Sequence, residues 1–133
     1  MEKLKKDSIN YVLTAMPRQM CEDLVKKYAK NGIIHKVIDS VDSSECDLSI
    51  FFEESCKFIE QALKNGNVLI HCFAGVSRST TLTIAYLMKT RRKHFQEMLD
   101  FIKTKRRFVC PNDGFRKQLN QWGKKLDLKP RNL

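Results

Sequence analysis

Nine consecutive residues, His71-Cys72-Phe73-Ala74-Gly75-Val76-Ser77-Arg78-Ser79, bring a thiol, a glycine, a guanidinium and two hydroxyls into one short segment. A cysteine acts as a nucleophile in its thiolate form, which helix N-termini and neighbouring cations stabilise. The planar fork of Arg78 can hold two phosphate oxygens at once. Gly75 opens the loop to backbone conformations closed to other residues. An apolar run, Val68-Leu69-Ile70, precedes the segment and a helix-prone stretch follows it. A short loop between a strand and a helix N-terminus aims several backbone N–H groups at one point and so makes an anion site. The chemistry this suits is phosphoryl transfer to the Cys72 sulfur, followed by hydrolysis of the thiophosphate. Donors of the loop (Phe73, Ala74, Gly75, Val76, Ser77) and Arg78 would stabilise the equatorial oxygens of the transition state. Ser79 can donate to the sulfur as it leaves. A lone cysteine or arginine at such a junction would mean little; the joint pattern is what points to chemistry.

Expelling an alkoxide or phenoxide also needs a proton, from a general acid on a separate loop. Asp39, Asp42, Glu45 and Asp47 all lie in an acidic, serine-rich, aperiodic stretch at residues 39–47, and composition does not choose among them. His71 could orient the loop or tune the thiolate, although a lone histidine in a core is more often structural. The five cysteines are scattered and contain no C-x-x-C pair, and only one of the three histidines adjoins a cysteine. No metal and no cofactor is assigned. Cys46 and Cys110 are candidates for trapping an oxidised Cys72 as a disulfide, a role that most such cysteines do not have.

The elements that must position these groups are legible in outline. Residues 9–16 (INYVLTAM) read as a strand ended by Pro17. Residues 21–30 suit a helix stopped by Asn31-Gly32, and residues 33–38 a second short strand. From Leu48 the apolar residues Phe52, Cys56, Ile59 and Leu63 form a helical stripe that ends at Asn65-Gly66. The continuous run Val68-Leu69-Ile70 suits a buried, central parallel strand. Residues 80–89 are apolar on most sides, as in a helix packed deep against a sheet. Two amphipathic helices follow, one carrying Phe95, Met98, Leu99 and Ile102, the other Phe115, Leu119, Trp122 and Leu126. Alternating strands and helices predict an α/β fold, with a small, mainly parallel central sheet flanked by helices and a helix-rich C-terminal half.

At 133 residues, 42 % of them hydrophobic and 30 % charged, the chain reads as a single domain over residues 1–133 rather than a disordered segment. No apolar run is long enough to span a bilayer, and no signal peptide is apparent, so a cytoplasmic or nuclear location is expected. The formal charge of +10 favours anionic partners or simply a solvated basic surface. Without interleaved aromatic residues, nucleic acid is an unlikely partner.

The segment 71–79 matches the H-C-x-x-G-x-x-R-[ST] signature of cysteine-based phosphatases. In its longer form, HCFAGVSRSTTLTIAYLM, it resembles the dual-specificity, MAP kinase phosphatase-like branch of the protein tyrosine phosphatases. Cys110-Pro111-Asn112-Asp113-Gly114-Phe115 is similar to that family's N-P-N-x-G-F, and INYVLTAM to its I-T-H-I-L-N strand. The resemblance implies a protein tyrosine phosphatase-like fold and metal-independent hydrolysis of phosphotyrosine and phosphoserine/threonine in proteins. It implies Cys72 as nucleophile, Arg78 as phosphate clamp and phosphorylated proteins as partners. Counting back from Leu48-Ser49-Ile50-Phe51-Phe52, it selects Asp42 as the acid, and it suggests that Asn112 braces the loop from behind. One departure is that the family's opening strand pair has no counterpart here, where residues 1–8 precede INYVLTAM. No kinase-docking domain is recognised within residues 1–133, so the resemblance does not imply docking to a MAP kinase. Alternatives are a related phosphatase of RNA 5′-phosphates or phosphoinositides, or a non-catalytic phosphoprotein-binding module. The loop interior lacks the extra Lys or His that anion-rich substrates recruit.

Overall fold

The computed structural model describes residues 1–73 and 77–129. Alternation along the first strand, β1 (Ile9–Ala15), sets the two faces of the sheet. Leu13 and Ala15 enter the main core, while Val12 joins a smaller cluster on the opposite face. β2 (Ile34–Ile38) and β3 (Asn67–Cys72) both pair with β1 in parallel, in the order β2-β1-β3. Every strand pairing among the described residues is therefore parallel.

Six α-helices complete the described fold: α1 (Glu2–Lys6), α2 (Glu22–Lys30), α3 (Phe52–Asn65), α4 (Arg78–Arg91), α5 (Phe95–Lys105) and α6 (Asp113–Lys125). Single 3₁₀ turns at Arg18–Met20 and Ser49–Phe51 lead into α2 and α3. The expected stop of α2 is present: Gly32 follows the last residues of the helix with a left-handed φ of 72°, which a glycine adopts without strain. α3 to α6 supply most of the main core, in which Phe52 meets Trp122 edge-on at 5.4 Å. The Trp122 indole N–H donates to the Ala85 carbonyl of α4 at 3.0 Å, satisfying its one polar atom in the interior. On the other face α2 brings Tyr28 onto Val12 and Ile33. α1, which the sequence pattern does not announce, packs Met1 and Leu4 against the same cluster.

One expectation is corrected. Val68-Leu69-Ile70 reads as a central strand, but among the described residues β1 occupies the centre and β3 an edge. Val68 and Ile70 pack against the main core and Leu69 against the smaller cluster, so both faces of β3 are covered. A continuous apolar run reports covered faces; it carries no information about how many neighbours a strand has. The burial records the difference, because Tyr11 to Ala15 are all buried whereas Val68 to His71 are only partly so.

Candidate active site

β3 ends on Cys72 and α4 starts on Arg78, so the strand-to-helix junction lies where the sequence places it. The first N–H groups of a helix have no intrahelical acceptor. In α4 the N–H of Ser79 is directed to Cys72 Sγ at 3.4 Å, and Ser79 Oγ lies 3.3 Å from the same sulfur. Thr81 N–H and Oγ1–H both donate to the Ser77 carbonyl, which fixes the entry of the helix. Of the expected phosphate-binding residues, Ser77 is buried and Phe73 is 67 % exposed on the rim. Ala74, Gly75 and Val76 lie outside the described residues.

Arg78 is only 6 % exposed. Its Nη1 donates to the Ser40 carbonyl at 2.9 Å, across from the start of the acidic loop. Among the described residues its Nε finds no acceptor, and no carboxylate pairs with the guanidinium. A buried cation with neither counterion nor a full set of acceptors is costly. The arrangement is one that an anion beside Cys72 would complete.

The acidic loop is sorted by its hydrogen bonds. Asp39 accepts from the backbone N–H of Arg18 at 2.9 Å, and Asp47 accepts from the N–H of Ser49 at 3.1 Å. The first carboxylate ties the loop to the 3₁₀ turn that follows β1, and the second serves a local turn. Asp42 instead accepts from Asn112 Nδ2 at 2.9 Å. Asn112 also donates its backbone N–H to Ser77 Oγ at 3.1 Å, and its side-chain oxygen caps α6 by accepting from Phe115 N–H at 2.9 Å. One asparagine therefore joins the acidic loop, Ser77 and the start of α6.

Three further residues matter that the sequence reading did not single out. Gly114 lies so close to the acidic loop that a Cβ there would fall 2.0 Å from the Ser44 carbonyl oxygen. Gln118, one turn further along α6, accepts from the N–H groups of Leu48 and Ser49 and donates to the Cys46 carbonyl at 2.9 Å. Ser40 supplies the carbonyl that receives Arg78. The visible signal for the first was its place in the motif Cys110-Pro111-Asn112-Asp113-Gly114-Phe115; a lone glutamine on a helix and a serine in a polar loop give none.

His71 points away from the thiol. Its Nε2 lies 2.7 Å from Thr14 Oγ1, which lies equally close to His35 Nε2 on β2. His35 in turn meets the Tyr28 ring edge-on. One hydroxyl can donate to one imidazole and accept from the other, so the three side chains tie the strands together on the α2 face. Burial holds the proton affinity of both histidines below the ordinary imidazole range, and the proximity of His71 lowers His35 further. Burial also pushes the Cys56 thiol up to about 12 and raises Cys21, so these two stay protonated thiols at neutral pH. All five cysteines are free; Cys46 is half-buried and Cys110 exposed. Among the described residues no cluster of potential ligands could hold a metal ion, and no helix is long and apolar enough to cross a membrane.

Comparison with known proteins agrees with this geometry. The family model described as dual specificity phosphatase, catalytic domain, matches residues 1–125. Dual specificity protein phosphatase 1B of Arabidopsis thaliana is 40 % identical over 124 residues, covering 92 % of this chain and 71 % of the plant protein. Dual specificity protein phosphatase 9 of Homo sapiens is 39 % identical over 133 residues; 98 % of this chain is covered, but only 33 % of the human protein. Among solved structures, the human tyrosine phosphatase-like serine/threonine/tyrosine-interacting protein superposes with a TM-score of 0.86 at 26 % identity, covering 94 % of this chain and 83 % of that one.

Proposed function

Because the chain belongs to the dual specificity phosphatase catalytic-domain family, we propose that it hydrolyses phosphotyrosine and phosphoserine/threonine in proteins through a cysteinyl-phosphate intermediate. Two observations support the reading together: a buried Arg78 guanidinium whose Nε has no acceptor among the described residues, and, six residues before it in the chain, a thiol that already receives a helix N-terminal N–H. In the first step the Cys72 thiolate attacks phosphorus, an S–P bond forms and the ester O–P bond breaks. Asp42 gives its proton to the departing oxygen. In the second step water attacks phosphorus, its proton returns to the Asp42 carboxylate, and the S–P bond breaks to regenerate the thiolate. Ser79 Oγ, which lies 3.3 Å from the sulfur, donates to it as it leaves. Arg78 and the backbone donors at the start of α4 hold the equatorial oxygens throughout.

Phosphate release from an aryl phosphate, measured with chelator present and with Cys72→Ser in parallel, tests this. Activity should survive the chelator and vanish in the variant. A folded, silent wild-type protein that binds phosphopeptide without releasing phosphate would favour a binding module instead. Activity confined to RNA 5′-phosphates or phosphoinositides would reassign the substrate.

A further inference from the structure

A run of hydrogen bonds leads from α6 to the proposed acid. Gln118 is flanked on its helix by Phe115 and Leu119, both fully buried, so the helix is fixed in the core. Its Nε2 donates to the Cys46 carbonyl at 2.9 Å, while Oε1 accepts from the N–H groups of Leu48 and Ser49 at 2.8 and 3.1 Å. Both polar atoms of the amide are thus engaged on the tail of the acidic loop. From Cys46 the connection runs back through two backbone turns. Cys46 N–H donates to the Ser43 carbonyl at 3.0 Å, and Ser43 N–H to the Val41 carbonyl at 3.1 Å. Asp42 is the residue that the second turn encloses.

We propose that Gln118 is a positioning residue for the reaction: by fixing the tail of the acidic loop it sets where Asp42 presents its proton. The inference rests on the proposed role of Asp42 as general acid. Asn112 bonds the Asp42 carboxylate directly, but that bond is exposed, and water competes for the same oxygen. The three bonds of Gln118 are partly buried, and Leu48, which donates one of them, is fully enclosed. The two anchors therefore differ in kind: Asn112 touches the carboxylate, whereas Gln118 holds the backbone that carries it. At its head the loop is tied separately, by the bond from Arg78 to the Ser40 carbonyl. Losing Gln118 releases the tail alone and leaves the phosphate clamp in place.

The test is steady-state kinetics of Gln118→Met, alone and combined with Asp42→Asn, on a series of phosphate esters with graded leaving groups. Methionine matches the side chain in length and removes all three hydrogen bonds. Turnover of alkyl phosphates should fall about tenfold or more, with activated aryl phosphates changed by no more than about twofold. In the Asp42→Asn background the same substitution should bring no further loss, because the group it positions is gone. Gln118→Glu keeps the acceptor for Leu48 and Ser49 but loses the donor to Cys46; it should show the same pattern, and supplies the comparison should the methionine protein not fold. An equal loss on every ester, or a loss that adds in full to that of Asp42→Asn, overturns the proposal and leaves Gln118 a structural residue. An Asp42→Asn protein with the leaving-group dependence of the wild type overturns the acid and its support together, so the two failures are told apart.

Discussion

The segment around Cys72 and the acidic loop are held in opposite ways. The first is built locally: Cys72 ends a strand, Ser79 opens a helix, and the N–H joining them to one sulfur is set by that junction. The second contains little structure of its own. It is gripped from a distance by one face of α6, through Asn112 on Asp42, Gly114 against Ser44, and Gln118 on Cys46, Leu48 and Ser49. In the proposed reaction anion binding is thus a property of a contiguous segment, whereas placing the proton depends on contacts between residues some 70 positions apart. Changes in the two regions should therefore leave different kinetic signatures.

The largest effect should come from the local region. Arg78→Lys keeps the charge but loses the planar fork. Steady-state kinetics should show kcat/KM lower by about 10² to 10³, irrespective of leaving group. Equal activity of the lysine variant would deny the guanidinium its special role. In the second region the loss should depend on the leaving group. Gly114→Ala pushes a methyl group into the Ser44 carbonyl and displaces the loop that carries Asp42. Turnover of alkyl and other poor leaving groups should drop about tenfold to a hundredfold, while activated aryl phosphates are hardly affected. Asn112→Asp is the gentler version: it keeps an acceptor for the α6 cap but loses the donor to Asp42. The same leaving-group series should show a smaller slope change with little loss of thermal stability. A uniform loss across all leaving groups would erase the distinction between the two loops.

The smallest effect concerns the histidines behind the sheet. Both have proton affinities lowered by burial, so the unfolded chain binds more protons than the folded one as pH falls below about 6.5. Native stability is therefore fully expressed above that pH and lost progressively below it. His35→Gln, which can still bond Thr14, should flatten the fall in Tm between about pH 7 and pH 5. An unchanged pH slope would show that the pair does not govern acid stability.

These contrasts also mark what was legible in the sequence. Each strand and long helix was foreshadowed by periodicity and by Gly or Pro stops, and the thiol, guanidinium and Ser79 by their spacing, because all of these are local. The edge position of β3 was not, since an apolar run has the same pattern at the centre of a sheet and at its rim. Nor was the part played by Gln118 or Ser40, whose hydrogen bonds join segments that only the folded chain brings together. His71 lies beside Cys72 in sequence but faces the opposite side of the sheet, because neighbouring residues of a strand point to opposite faces. Asp42 was chosen by resemblance alone; its bond to Asn112 shows how α6 holds that part of the loop, which composition could not.

Rapid acid quench during turnover of an activated aryl phosphate, followed by mass analysis of the peptide bearing Cys72, tests the central claim most directly. The expected result is one phosphoryl group on Cys72, accumulating further in Asp42→Asn, where breakdown lacks its base. Turnover with no phosphorylated Cys72 in either protein, or turnover that persists in Cys72→Ser, would contradict it.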